Sequence, residues 1–92
     1  MQITDIRVHL RQGERLKAVA SVTLDEAFAV RDLRVVEGSR GLFVSMPARK
    51  LADGTYQDLA HPVTREMRDT LQARVLDAYR RALETGGGSP DG

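Results

Sequence analysis

Two segments near the start of the chain alternate apolar and polar residues, and this alternation predicts a β-hairpin. In residues 3–10 every second residue from Ile6 to Leu10 is apolar. Residues 16–24 repeat the pattern, with an apolar face that consists of Leu16, Ala18, Ala20, Val22 and Leu24. Between the two segments, Gly13 supplies the backbone freedom that a tight reversal needs.

The third apolar segment breaks this alternation. Phe28 and Val30 fall on one parity, whereas Leu33 and Val35 fall on the other. A β-bulge near Arg31-Asp32 would bring both halves onto one face of the sheet. The alternative is a strand that is apolar on both sides because a second subunit covers its outer face, and the pattern leaves both interpretations open.

Residues 42–46 and residues 56–60 are predicted to be the fourth and fifth strands. A short glycine-bracketed turn precedes the fourth strand, and Pro47 ends it because proline has no backbone N–H for the ladder. The residues between Pro47 and the fifth strand are predicted to be a loop. That loop carries the adjacent cations Arg49 and Lys50.

Residues 65–84 are predicted to form an amphipathic helix, because apolar residues recur at helical spacing. The apolar stripe consists of Met67, Leu71, Val75, Ala78 and Ala82. Thr64 is the predicted N-cap, since a threonine hydroxyl can accept a hydrogen bond from an N–H in the first turn. Residues 85–92 are rich in glycine and are predicted to be a disordered tail.

These elements predict an α+β fold, with an antiparallel β-sheet of about five strands followed by one C-terminal amphipathic helix. We expect a single domain over residues 1–84. One helix covers only one face of such a sheet, so Val19, Phe28 and Phe43 leave apolar surface outside it. A small domain also buries a smaller share of its surface than a large one. We therefore expect a homodimer that forms through the strands.

Basic residues are the main functional feature, although the formal net charge is only +1. Residues 31–50 contain the cations Arg31, Arg34, Arg40, Arg49 and Lys50. Further along, Arg65, Arg68 and Arg74 add a basic edge to the helix. If the loop and this edge adjoin, they would form a positive groove for a nucleic-acid backbone. The alternative is a solvated arginine-rich surface with local ion pairs such as Arg65–Asp69.

Aromatic residues give less support to the stacking of bases. The chain has four of them, Phe28, Phe43, Tyr56 and Tyr79. Three fit core positions, so the pattern argues against a single-strand stacking platform and favours contact with the backbone of a nucleic acid.

Catalytic and metal-binding chemistry finds little support in the residues. The chain has no cysteine, which excludes thiolate sites. Zinc could bind His9, His61 and Asp58 only if the fold brought them together. We expect His61 instead to hydrogen-bond a backbone group. Ser39 and Ser45 occupy no nucleophile-elbow context. We therefore expect no enzyme, no catalytic residue, no metal, no cofactor and no small-molecule substrate.

The distribution of apolar residues also bears on location. No apolar run approaches the length that spans a membrane, and no signal-peptide pattern opens the chain. We expect a cytoplasmic protein with no membrane association.

Several motifs occur in one order and resemble those of the SpoVG family, the small bacterial septation and stage V sporulation proteins. They are Thr4-Asp5-Ile6-Arg7, Leu24-Asp25-Glu26-Ala27-Phe28, Asp32-Leu33-Arg34-Val35, Gly41-Leu42-Phe43-Val44-Ser45-Met46-Pro47, Asp53-Gly54 and Asp58-Leu59-Ala60-His61-Pro62. The resemblance runs from about Met1 to Leu83. It implies an antiparallel sheet with a C-terminal helix and a homodimer formed through the strands.

The resemblance also implies a regulatory protein that binds DNA, and in some members RNA, linked to septum formation, sporulation and gene expression. Its basic pair corresponds to Arg49 and Lys50, and we expect Arg40, Arg65 and Arg68 to support nucleic-acid binding. Leu51-Ala52 departs from the family pattern and predicts a less rigid basic loop. The alternative function is a protein-interaction module of the cell-division or regulatory machinery without direct nucleic-acid binding.

Overall fold

The computed structural model describes residues 1–85, which form two antiparallel sheets and a helix. The elements are β1 (Ile3–Leu10), β2 (Leu16–Leu24), β3 (Phe28–Gly38), β4 (Gly41–Ser45), β5 (Ala48–Lys50), β6 (Tyr56–Asp58) and α1 (Arg65–Thr85). Strands β1 to β4 form one sheet in sequence order, and β5 pairs with β6 in the other. The predicted α+β fold is confirmed. The predicted tail beyond Thr85 lies outside the described residues.

A β-bulge in β3 resolves the broken alternation of the third strand. Ala20 pairs with Leu33 and Val22 pairs with Val30, so two steps along β2 face three steps along β3. Asp32 takes a φ of 64° at this position, which is the left-handed region. Leu33 is fully buried, and Val30 packs against the same core. The bulge interpretation is therefore confirmed, and it accounts for the change of parity without a second subunit.

The helix packs across one face of the four-stranded sheet. Leu33 and Val35 from β3 and Val75 from α1 have no exposed surface and form the centre of the core. Apolar side chains from β1, β2 and the rest of the helix surround them: Ile3, Val8, Ala18, Ala20, Val22, Leu71, Leu76, Tyr79 and Ala82. Burial of this apolar surface is the main favourable term in folding.

The beginning of the helix matches the predicted N-cap. The backbone N–H of Met67 donates to the Thr64 hydroxyl at 3.1 Å, and the N–H of Arg68 donates to the Thr64 carbonyl oxygen at 3.1 Å. The first bond satisfies a donor that has no partner within the helix. The helix ends at Thr85, one residue later than predicted.

The prediction of a loop after Pro47 is wrong at its start. Residues 48–50 are a strand, and the predicted fifth strand pairs with it instead of joining the main sheet. The Pro47 carbonyl oxygen accepts a hydrogen bond of 2.7 Å from the Leu59 N–H, which fixes the base of this hairpin. Three residues with two cations are too few to show an alternation, so the pattern gave no signal for β5.

The turn of this hairpin is built by Asp53 and Gly54. The Asp53 carboxylate accepts from the Thr55 hydroxyl at 2.6 Å and from the Thr55 N–H at 3.0 Å. These two hydrogen bonds lower the pKa of the Asp53 carboxyl. Gly54 has a φ of 90°, a conformation that glycine adopts without steric cost. The turn chemistry stabilises a hairpin whose strands have only three residues each.

Within residues 1–85, no helix is both long enough and apolar enough to cross a membrane.

Candidate nucleic-acid interface

The basic pair lies on strand β5 and is exposed to solvent. Arg49 is the cross-strand partner of Gln57, and Lys50 is the partner of Tyr56. The Arg49 guanidinium donates to the Gln57 side-chain oxygen at 3.5 Å, a long and weak hydrogen bond. Successive residues on a strand point to opposite faces. The two cations therefore belong to different faces of the hairpin instead of projecting together from a loop.

A hollow of about 580 Å³ lies between the β5–β6 hairpin, the end of β4 and the first turns of α1. Its lining consists of Val44, Met46, Tyr56, Gln57, Asp58, His61, Pro62, Arg68, Leu71 and Gln72. Arg68 is thus placed beside the basic hairpin. Arg49 reaches the same region through its hydrogen bond to Gln57. The structure brings a cation from β5 and one from α1 to this hollow.

The helix arginines do not form one basic edge, as the sequence had suggested. The Arg74 guanidinium donates to the Ile3 carbonyl oxygen at 3.5 Å and lies beside β1. Arg68 lies on the opposite side of the helix, beside β4 and β6. Arg65 is exposed at the first position of the helix and is not among the lining residues of the hollow. The spacing of six residues between Arg68 and Arg74 places them on different helix faces, since a turn has 3.6 residues.

Arg40 lies at the far end of the main sheet. It occupies the turn between β3 and β4, at the opposite end of β4 from Pro47. The four steps from Gly41 to Ser45 span about 13 Å. The Glu37 N–H donates to the Arg15 carbonyl oxygen at 2.8 Å, which places this turn beside the β1–β2 connection. Arg40 therefore belongs to another surface than Arg49 and Lys50.

Within residues 1–85, none of the candidate cations forms an ion pair with a carboxylate. Within the described residues, the side chains of Arg40, Lys50, Arg65 and Arg68 form no hydrogen bond and no ion pair. The ion pair between Arg65 and Asp69 that the helical spacing suggested does not form in the described part of the helix. Ion pairs do occur between Arg7 and Asp5 at 3.0 Å and between Arg81 and Asp77 at 3.3 Å. Unpaired cations are available for phosphate groups.

The prediction that three aromatic residues belong to the core is wrong. Tyr79 is 7% exposed, but Phe43 is 40%, Phe28 66% and Tyr56 71% exposed. Alternation shows which residues share a face, but it does not show whether another element covers that face. Sequence reasoning therefore missed Tyr56, an exposed aromatic ring that faces Lys50 across the hairpin. The fifth-strand prediction placed Tyr56 in the main sheet, and this obscured its exposure.

His61 forms the kind of contact that the sequence suggested. Its Nδ1 atom lies 3.1 Å from the Pro62 carbonyl oxygen. His9 lies on β1 and pairs with Val19 within the main sheet. Among residues 1–85, no group of three or more histidine, aspartate or glutamate side chains could hold a metal ion.

Comparison with known proteins gives one consistent result. The sequence model of the SpoVG family matches residues 1–81. A protein of Anaeromyxobacter sp. (strain K) named "Putative septation protein SpoVG" is 43% identical over 90 residues, which cover 98% of this chain and 89% of that protein. Proteins of the same name from Lachnospira eligens and Caldicellulosiruptor saccharolyticus are 48% and 44% identical, respectively. These matches cover 89% and 94% of this chain, and 94% and 99% of those proteins.

Proposed function

The chain belongs to the SpoVG family, and from this premise we propose that it is a small homodimeric regulatory protein that binds nucleic acid, DNA or RNA. The names of its relatives support a role linked to septation and sporulation. We place this role in the cytoplasm and in the regulation of gene expression, without catalysis and without a small-molecule substrate. The proposal rests on family membership and on the charge of the surface around the β5–β6 hairpin.

The observation that carries the binding proposal is the cluster of exposed cations on and beside this hairpin. Arg49 and Lys50 extend from opposite faces of the β5–β6 strand pair, and Arg68 lies in the wall of the hollow beside it. With a net charge of only +1, the whole protein exerts little attraction on phosphate, so binding depends on this local concentration of charge. Arg65 extends the surface along the first turn of the helix. Arg40 supports binding at the far end of the sheet, where it would contact another part of the bound nucleic acid.

The proposed homodimer has a candidate surface on the sheet face that the helix leaves open. Because Leu33 and Val35 face the helix, the residues that alternate with them, Arg34 and Val36, face away from it. Val36 pairs with Phe43 on that open face. A second copy that covers this face would remove apolar surface from water. By two-fold symmetry it would also double the set of cations.

A double substitution tests the role of the basic pair. Replacing Arg49 and Lys50 with alanine should weaken binding to DNA and RNA of any sequence, because phosphate contacts carry no sequence information. The slope of log K against log salt should fall by about one for each phosphate contact that is lost. Fluorescence anisotropy at several salt concentrations measures both quantities.

The matched control is the double substitution Arg80→Ala with Arg81→Ala, which removes the same charge from another adjacent pair. Both residues are exposed in the last turns of α1, whereas the hollow beside the hairpin is lined by residues of its first turns. The control should retain most of the affinity of the parent protein. Equal losses in the two double variants would show that only net charge matters, and the assignment of the site would then be wrong.

A second candidate function is a protein-interaction module. The observation that favours it is a set of apolar side chains on the segment between β6 and the helix, where Leu59 is 64% and Val63 is 87% exposed. Exposed apolar surface marks an interaction site where it forms a contiguous patch, and this segment is where such a patch would lie. A gel-shift assay at physiological salt separates the two functions, since an interaction module would retard no DNA and no RNA at micromolar protein concentration.

A further inference from the structure

The hollow beside the basic hairpin has the composition of a site for a flat polar ring. We propose that it takes one unpaired nucleobase of a bound strand, with Tyr56 as the stacking residue. This inference rests on the proposed nucleic-acid function and adds a ligand that the phosphate contacts of Arg49 and Lys50 do not require.

Tyr56 is positioned to stack on a base. Its side chain is 71% exposed, lines the hollow and stands opposite Lys50 in the β5–β6 pair. An aromatic ring beside a cation is the combination that single-stranded nucleic acids use, because the base stacks while the neighbouring phosphate meets the charge. An exposed tyrosine on a hairpin of three-residue strands also contributes nothing to the core, which consists of other residues.

The lining of the hollow combines apolar and polar side chains. Val44, Met46 and Leu71 provide apolar surface, and the amides of Gln57 and Gln72 lie at the polar side. A nucleobase would match this lining, because its faces contact apolar side chains while its edge carries hydrogen-bond donors and acceptors. The volume of about 580 Å³ is within the range of ligand sites in proteins.

The carboxylate of Asp58 lies in the same lining. A carboxylate repels phosphate, so the interior of the hollow is unsuited to the backbone of a strand. It accepts hydrogen bonds from the amino and imino groups of bases. The cations that attract the backbone, Arg49 and Lys50, lie on the hairpin outside this lining. These two cations thus lie apart from the base site, whereas Arg68 lies in its wall together with Asp58.

The form of the nucleic acid follows from this geometry. A base within a duplex has both faces stacked and its pairing edge occupied, so it cannot enter a hollow beside Tyr56. An unpaired base in a single strand or a loop can enter.

The test combines a change in the protein with a change in the ligand. Tyr56→Leu removes the ring face but keeps an apolar side chain, and an abasic residue removes one base of an oligonucleotide but keeps its phosphate. With an eight-residue single strand, Tyr56→Leu should weaken binding by about 5- to 150-fold, as expected for the loss of one stacked base. With an oligonucleotide whose abasic residue lies at Tyr56, the same substitution should change the affinity by less than about 2-fold, because the base that would stack on the ring is already missing.

Control variants separate stacking from a loss of structure. Tyr56→Phe should bind as the parent does, since it keeps the ring. Tyr56→Leu should bind duplex DNA with the affinity of the parent, because duplex binding depends on Arg49 and Lys50. Running the series with RNA and with single-stranded DNA shows which of the two supplies the base. Asp58→Asn should alter the preference among the four bases.

Each alternative outcome has a distinct meaning. If the parent binds duplex and single strand but Tyr56→Leu weakens neither, or weakens both equally, the base site is wrong and the proposed function stands. If the effect of Tyr56→Leu is the same on intact strands and on every abasic strand, the ring does not contact a base and the inference fails. If the parent binds no nucleic acid, the proposed function fails and the base site fails with it.

Discussion

At the scale of the residue, Asp32 shows how a single conformation sets the composition of the core. Its left-handed φ of 64° allows the extra residue of the bulge, and the bulge brings Val30 and Leu33 to the helix side of the sheet. Aspartate tolerates this region better than most residues with a Cβ atom. Without the bulge, one half of β3 would turn its apolar side chains to the open face.

The bulge leads to a prediction for substitutions at Asp32. Asp32→Val should lower the free energy of unfolding by about 1–2 kcal/mol, because a β-branched residue resists the left-handed region. Asp32→Gly should lie within about 1 kcal/mol of the parent, since glycine adopts this φ freely but has more entropy to lose on folding. Urea denaturation followed by circular dichroism measures both changes. If the valine variant were as stable as the glycine variant, the backbone conformation assigned to Asp32 would be incorrect.

Tyr56 and Asp53 show a different kind of residue-scale effect. Neither contributes to the core, yet the Asp53 hydrogen bonds to Thr55 hold the turn that brings Tyr56 opposite Lys50. The pKa of Asp53 is lowered. At pH values above the ordinary pKa of an aspartate, its ionised carboxylate therefore stabilises the folded turn. That contribution is lost as the pH falls through the lowered pKa.

At the scale of the element, α1 and the β5–β6 hairpin depend on different forces. The helix is held by its buried face, in which Leu71, Val75 and Leu76 contact the sheet side of the core. The hairpin buries none of the residues of its two strands, so its backbone pairing, its turn and the Pro47–Leu59 hydrogen bond hold it. The element that carries the candidate site is therefore the one with the least core support.

The N-cap gives a prediction for the helix. Thr64→Ala should lower the free energy of unfolding by about 0.5–2 kcal/mol, because the Met67 N–H loses its acceptor. Thr70→Ala is the control, since Thr70 is exposed within the helix and alanine has the higher helix propensity. Thermal denaturation of both variants tests this difference, and equal stability of the two would contradict the role of Thr64.

At the scale of the whole molecule, the sheet has one covered face and one open face. The helix covers the face that carries Leu33 and Val35, whereas Val36 and Phe43 lie on the open face. Phe43 is 40% exposed and packs close to Gly38. A Cβ atom on Gly38 would lie 2.9 Å from the Phe43 ring. The absence of a side chain at Gly38 thus leaves room for the Phe43 ring on the open face, which we propose a second copy covers.

The proposed homodimer leads to a prediction for Phe43. Phe43→Glu should convert a particle of twice 10.2 kDa into one of 10.2 kDa, because a carboxylate would be buried at the interface without a partner. Phe28→Glu is the matched control: Phe28 is also exposed but has the parity of Val30, on the helix side. Light scattering and sedimentation measure the mass. A parent protein that is monomeric at micromolar concentration would refute the dimer.

Much of the candidate site was visible in the sequence as residue types but not as an arrangement. Arg49, Lys50 and Arg68 were identified from charge, and the structure places Arg68 in the wall of the hollow and Arg49 and Lys50 on the adjoining hairpin. Arg40 and Arg65 were identified in the same way, and they lie outside it. Charge along a chain gives the number of cations in a window, whereas their distances depend on how the elements are packed.

The sequence by itself determined the features that depend on local spacing. These are the first hairpin, the bulge as one of two alternatives, the end of β4 at Pro47, the helix with its Thr64 cap, and membership of the SpoVG family. Side-chain periodicity and backbone chemistry act over a few residues, so a linear pattern records them. Only the tertiary structure decided that β5 and β6 form a separate sheet, that Arg68 and Arg74 face opposite sides, and that Tyr56 is exposed. Exposure and proximity depend on which distant elements pack together, and no local pattern contains that information.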